Sequence, residues 1–249
     1  MLSDTFSWIL GKAQKKQVQI VDPTRSNRWR VEPCTKCDSL ITFSGIDGCG
    51  KSTQAHLLKD KLLAEGFPVL VDNYKITSNP RFMNARNQLY HELEVRGESL
   101  SSDVMGLLIA FDYYSHIVND VQSKLDDNKH VICDRYVYDL CISQKYIFGT
   151  GFEDGWRILS KAPHPGLAIL IDVPAEMAMS RILLRGLVVR EHEELAVLQV
   201  KREAYLEMSQ RSHQIVLDGR QPPDALHREI WDLLAYSDSR LDPLQKPLP

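Results

Sequence analysis

Between residues 39 and 65 an apolar β-branched run, a glycine-rich loop and an amphipathic segment follow one another without a gap, and nothing else in the chain restricts the fold as tightly. Leu40-Ile41-Thr42-Phe43-Ser44 suits a strand buried in a parallel sheet. Gly45-Ile46-Asp47-Gly48-Cys49-Gly50-Lys51-Ser52 then matches every fixed position of G-x-x-x-x-G-K-[ST]. Thr53 to Glu65 carries Ala55, Leu57, Leu58, Leu62 and Leu63 among polar residues, as a half-buried helix does. Glycines let backbone N–H groups converge on a polyphosphate without Cβ clashes, and the helix N-terminus adds partial positive charge. Gly45, Asp47, Gly48, Cys49, Gly50, Lys51, Ser52 and Thr53 therefore form an expected nucleotide cradle. Within it Lys51 is placed for the β- and γ-phosphates and the Ser52 hydroxyl for Mg²⁺.

The 249 residues, 43% of them apolar, suffice for one α/β domain with a substantial core. A net charge of −3 gives no general attraction to nucleic acid or to an anionic membrane, so affinity for phosphates has to be local. No apolar run approaches the roughly 20 residues of a membrane span. Phe6-Ser7-Trp8-Ile9-Leu10 is too short for a signal core, and its basic residues follow rather than precede it. Five scattered cysteines, an odd number, argue against a disulfide framework and for a reducing cytoplasm. Cys34 and Cys37 form a C-x-x-C pair with no second pair to complete a zinc site, and are expected to be reduced thiols.

Residues 1–38 read as an N-terminal extension, broken by Asp22-Pro23 and Glu32-Pro33. From residue 39 to 236 strands and helices alternate. The expected strands are 39–44, 68–72, 130–134, 167–173 and 214–218; the expected helices are 51–65, 80–95, 102–126, 175–186, 191–211 and 223–236. That alternation predicts a parallel sheet covered by helices on both faces, with ligands at the carboxyl ends of the strands. Residues 237–249, rich in proline after Asp242, are expected to be a disordered tail.

Two further segments are directed at phosphate. Val131-Ile132-Cys133 predicts a strand from whose carboxyl edge Asp134, Arg135 and Tyr136 emerge. An acid there can hold Mg²⁺, and an arginine can fork onto a second phosphoryl group. Arg181 and Arg185, four apart, share a helix face that Gly186 can close, and Arg190 follows. Such a basic segment could close over a triphosphate, exclude water and supply charge to the transition state.

In this order and at these separations the motifs resemble the thymidylate kinase family of P-loop nucleoside monophosphate kinases. The resemblance spans about residues 39–236 and adds Ile171-Asp172-Val173-Pro174 and Arg202-Glu203-Ala204-Tyr205-Leu206. It implies a three-layer α/β P-loop NTPase fold with a five-stranded parallel sheet flanked by helices. It also implies Mg²⁺-ATP as donor, a thymidylate-like nucleoside monophosphate as acceptor, and a homodimer. By resemblance Asp47 contacts the acceptor sugar, Arg135 holds the acceptor phosphate, and Tyr136, Tyr113 and Gln144 belong to the acceptor side. Lys51 and Arg135 act in transfer, with Arg185 and Arg190 as lid arginines, Arg181 on the ATP side, and Ser52 and Asp134 at the metal.

Several positions depart from that family. Asp72 to Pro80 replace its Thr-Arg-Glu-Pro-Gly segment, and Asp112-Tyr113 stands where an arginine follows aspartate. Val188-Val189 replaces the lid Asp-Arg, and Asp139 stands where serine is usual. Phosphate handling is thus kept while base recognition is rewritten, which leaves open a kinase for another nucleotide, nucleoside or small molecule. A nucleotide-binding regulatory module with little turnover is the alternative of another class.

Overall fold

In a computed structural model of the chain, the described residues are 37–72, 88–89, 91–98, 101–127, 129–143, 156–157, 159–186, 189–190 and 193–237. The chain divides into two units, Met1–Pro33 and Cys34–Pro249, and every described residue lies in the second.

Five strands form one sheet: β1 (Cys37–Ser44), β2 (Val69–Asp72), β3 (His130–Asp134), β4 (Pro165–Asp172) and β5 (Ile215–Asp218). Their order is β2-β3-β1-β4-β5 and every pairing is parallel. The central strands are apolar on both faces because helices cover both. Leu40, Ile41, Phe43, Val131, Ile132 and Ile169 are completely buried. Each such side chain stabilises by about 1.5–3 kcal/mol relative to exposure.

The helices are α1 (Lys51–Ala64), α2 (Ser102–His116), α3 (Gln122–Asp126), α4 (Val137–Ser143), α5 (Ala175–Leu183), α6 (Leu195–Ser212) and α7 (Pro223–Ser237). The helix expected over 102–126 is continuous but contains a π-helical turn, Ile117–Val121, between α2 and α3. Of the helix expected over 80–95, residues 80–87 and 90 lie outside the described residues, while 88–89 and 91–95 are helical. β1 begins two residues earlier than expected, and α6 begins at Leu195 rather than 191. Cys34 and the segment 238–249 lie outside the described residues.

Two polar ties fix the helices that border the nucleotide loop. Gln54 Nε2 donates to the Pro223 carbonyl at 2.9 Å, joining α1 to the start of α7. His116 Nε2 lies 2.7 Å from Asp72 Oδ2, joining α2 to the carboxyl end of β2. The register Phe43↔Asp134 sets the ends of β1 and β3 side by side. The loop after one strand therefore opens directly onto the Asp-Arg pair after the other, at the carboxyl edge where such sheets bind ligands.

Candidate active site

The loop between β1 and α1 is shaped by close backbone approaches. A Cβ at Gly45 (φ 138°) would come within 2.6 Å of the Ile171 carbonyl oxygen, and one at Gly48 (φ 83°) within 2.5 Å of that of Ala178. Both obstacles are backbone, so no side-chain adjustment relieves them, and both φ values favour glycine. Lys51, 5% exposed, donates from Nζ to the carbonyls of Gly45 at 2.7 Å and Ile46 at 2.9 Å, with Cys49 Sγ at 3.5 Å. Its ammonium thus sits inside the loop's curve, where a polyphosphate would lie. Ser52 and Thr53 are exposed on the first turn of α1, and the Ser52 hydroxyl donates to Asp134 Oδ2 at 2.5 Å.

Arg135 follows β3 with a left-handed φ of 87°, an uncommon conformation for a side-chain-bearing residue. Its N–H donates to the Phe43 carbonyl at 3.0 Å, which extends the β1–β3 ladder by one bond. The guanidinium forms an ion pair with Asp47 of the loop, and its other nitrogen reaches Asp139 Oδ1 at 3.4 Å. Burial opposes the Arg135 charge, but Asp47, Tyr205, Asp139 and Asp134 outweigh it and hold the group cationic.

Asp139, 3% exposed at the start of α4, is the centre of this network. Its Oδ2 accepts from the Ser44 hydroxyl at 2.8 Å and the Tyr136 N–H at 3.0 Å, and its Oδ1 accepts from the Tyr205 hydroxyl at 2.7 Å. One carboxylate therefore joins the end of β1, the turn after β3 and α6 to the arginine. Burial, then the Asp139 charge, pushes the Tyr205 phenol well above its ordinary range, so it remains a donor. Sequence reasoning noted Asp139 only as a departure and gave it no part in the site. Two of its partners, Tyr205 and Ser44, lie 66 and 95 residues away, beyond any local pattern. Lys201, buried in the apolar face of α6, was missed as well. A lysine at helical spacing between Leu198 and Tyr205 was the signal available.

Of the remaining expected residues, Arg181 and Tyr113 contact the loop and Arg135 respectively, whereas Arg185 and Arg190 lie apart. Arg181 donates to the Gly48, Cys49 and Gly219 carbonyls at 3.5, 3.3 and 2.9 Å, so it braces the loop from α5. Arg185 is 47% exposed and lies 3.6 Å from Glu193. Arg190 is exposed, and its backbone N–H donates to the Glu193 carboxylate at 3.0 Å. Among the described residues the partner of both is Glu193, not Lys51 or Arg135. Tyr113 is buried, with its hydroxyl donating to the Arg135 carbonyl at 3.4 Å. Tyr136 is also buried, and its hydroxyl donates to the Pro163 carbonyl at 2.9 Å. Gln144 lies outside the described residues.

The thymidylate kinase family model matches residues 43–230, from the end of β1 into α7. The chain belongs to the thymidylate kinase family. A probable thymidylate kinase of Pyrococcus horikoshii is 32% identical over 201 residues, covering 79% of this chain and 96% of that protein. A thymidylate kinase of Thermomicrobium roseum is 30% identical over 201 residues, covering 77% of this chain and 92% of that protein. Membership in the thymidylate kinase family carries the reaction class with it: ATP-dependent phosphorylation of a nucleoside monophosphate. Among the described residues no helix is long and apolar enough to cross a membrane. Nor do three or more His, Cys, Asp or Glu side chains gather there to hold a metal. Mg²⁺ bound to ATP needs no such cage, because phosphate oxygens and waters fill most of its shell.

Proposed function

We propose that this protein transfers the γ-phosphoryl group of ATP to thymidine monophosphate, giving ADP and thymidine diphosphate. One observation carries the proposal: the ion pair between Asp47 and Arg135, which joins the donor loop to the arginine after β3. A donor triphosphate in the loop and an acceptor phosphate on Arg135 would then face each other across one site.

An oxygen of the acceptor phosphate attacks the γ-phosphorus in line. The new P–O bond forms as the bond to the β,γ-bridging oxygen breaks, and that electron pair leaves on ADP. No general base is needed, since a phosphate monoester with a second pKa of about 6 is largely dianionic at neutral pH. An ammonium has three donors. Lys51 can keep the Gly45 and Ile46 carbonyls and turn the hydrogen nearest Cys49 toward a phosphoryl oxygen. Arg135 holds the acceptor phosphate through its planar fork, oriented by Asp47 and Asp139. Asp47 also accepts from the acceptor sugar hydroxyl. Ser52 and Asp134 already bring a hydroxyl and a carboxylate oxygen together, the oxygen donor set that suits Mg²⁺. When bound there, Mg²⁺ neutralises charge on the β- and γ-phosphate oxygens. Arg181 stiffens the loop's carbonyl side.

Residues 39–236 constitute the kinase domain and 1–38 an extension to it. The enzyme acts in the cytoplasm as a homodimer, as the reduced cysteines and the family resemblance suggest. An ADP-release assay across the natural nucleoside monophosphates tests the reaction. Turnover is expected with thymidylate above all others. No turnover with any of them at micromolar enzyme would defeat the proposal. Tyr113 favours one second reading. With a buried tyrosine where the family places a base-reading arginine, a different pyrimidine monophosphate is the acceptor. Faster turnover of that nucleotide than of thymidylate would decide for it.

A further inference from the structure

α6 buries the stripe Leu198, Lys201, Tyr205 and Met208. Three of these are ordinary core residues at i, i+3 and i+4 spacing, and Lys201 is not. It is 6% exposed, one helical turn from the tyrosine that holds Asp139. The charges that act on it define its surroundings. They are Asp47 and Lys51 of the nucleotide loop, Arg135 at the end of β3, and Asp139 of α4. The carboxylates of the other elements against α6 engage its neighbours: Glu176 of α5 meets Gln199, and Asp172 of β4 meets Arg202. Lys201 thus shares a buried helix face with the tyrosine that holds Asp139, within electrostatic reach of the donor loop and of Arg135.

A buried ammonium in an apolar stripe costs stability. The arginines expected to supply transition-state charge are placed elsewhere, Arg185 and Arg190 exposed and Arg181 bonded to loop carbonyls. We propose that Lys201 is a phosphate-neutralising cation of the transfer site, contributed by α6, whose ammonium stabilises the charge on the migrating phosphoryl group. The assignment rests on the kinase reading above. In the resting site the ammonium is attracted by Asp47 and Asp139 and repelled by Arg135 and Lys51. As the phosphoryl group passes between donor and acceptor, its equatorial oxygens provide a stronger, transient partner, which is the condition for speeding the step rather than merely binding substrate.

The test compares wild type, K201M and K201R as full-length proteins. Methionine fills the stripe without charge, so K201M is expected to melt at or above the wild-type temperature while kcat falls by about 10²-fold or more. The KM for ATP should change little. Burial, the largest influence, lowers the Lys201 pKa, so wild-type kcat should fall on the alkaline side before an exposed lysine would deprotonate. K201R should move that limb beyond reach, because arginine keeps its proton. A K201M enzyme within about threefold of wild-type kcat, or a K201R enzyme with the wild-type limb, would overturn the assignment. Binding of ADP with tetrafluoroaluminate, a mimic of the transferred group, needs no acceptor turnover. K201M should lose at least about tenfold in that affinity and nothing for ADP alone; equal affinities would overturn the assignment. Wild type inactive on every nucleoside monophosphate defeats the kinase reading, whereas active wild type with active K201M defeats only the role of Lys201.

Discussion

Replacing Asp139 with alanine removes the acceptor for three donors and for Arg135 at once. The Ser44 hydroxyl (2.8 Å), the Tyr136 N–H (3.0 Å) and the Tyr205 hydroxyl (2.7 Å) all end on this carboxylate. Hydrogen bonds to a charged group contribute about 1.5–3 kcal/mol each, but hydroxyls can rotate toward new partners and recover part of that. The Tyr136 N–H cannot rotate, and Ser44 lies in the fully buried end of β1. The net loss should therefore be about 3–5 kcal/mol, the range for breaking one partner out of a buried ionic cluster. For a chain of this size that corresponds to a melting temperature about 6–20 °C lower. D139N keeps one carbonyl oxygen for Ser44 and Tyr136 and turns its amide toward Tyr205, whose hydroxyl can accept. That amide also faces the Arg135 guanidinium, whose counter-charge is lost, so the cost should lie between wild type and D139A, about 2–3 kcal/mol. Differential scanning calorimetry and urea titration of both variants provide the measurement. D139A melting within about 2 °C of wild type would refute the claim that this carboxylate holds the β1, β3 and α6 ends together.

Removing the Lys51 ammonium with alanine should lower kcat by about 10²–10³-fold; a fully active variant in the ADP-release assay would exclude it from transfer. Gly48→Ala forces a Cβ against the Ala178 backbone oxygen at 2.5 Å, so the loop must shift. Calorimetry should then register at least about tenfold weaker ATP binding, and unaltered affinity would contradict the close packing. The pH dependence of stability offers a check on Lys201. Its folded-state pKa is lowered by burial, so between that value and the unfolded value the unfolded chain binds more protons and native stability rises with pH. The penalty is fully present below the folded value. The stability advantage of K201M over wild type should accordingly be largest near neutral pH and shrink toward about pH 10. A difference that does not vary with pH would count against a buried charged lysine.

Much of the scaffold could be read from local pattern because its signals are local. β1, the glycine loop and α1 are contiguous, and the short apolar runs 131–133 and 167–171, rich in β-branched residues, suit interior strands. The left-handed turn at Arg135 was not legible, since arginine has no preference for positive φ and the β1–β3 register imposes it. Tyr136 illustrates a second limit. The resemblance puts it on the acceptor side, but the burial of its ring and the bond from its hydroxyl to Pro163 could not be read from the sequence. Asp139 and Lys201 required the fold, because what gives each its meaning is the convergence of β1, α4 and α6 on one arginine. Arg181 was expected on the ATP side, but only the packing of α5 under the loop shows that its donors meet backbone carbonyls.

The positive φ of Arg135 has an evolutionary side. Holding an L-residue there costs on the order of 1–3 kcal/mol, a strain that glycine at the same position would largely relieve. Glycine would also leave the Asp47 and Asp139 carboxylates without the cation they share, a loss at least as large as the strain, so selection of this chain for heat resistance alone has nothing to gain from replacing Arg135. Such screens, like those that couple survival to growth on the product, should keep the arginine and place their gains elsewhere.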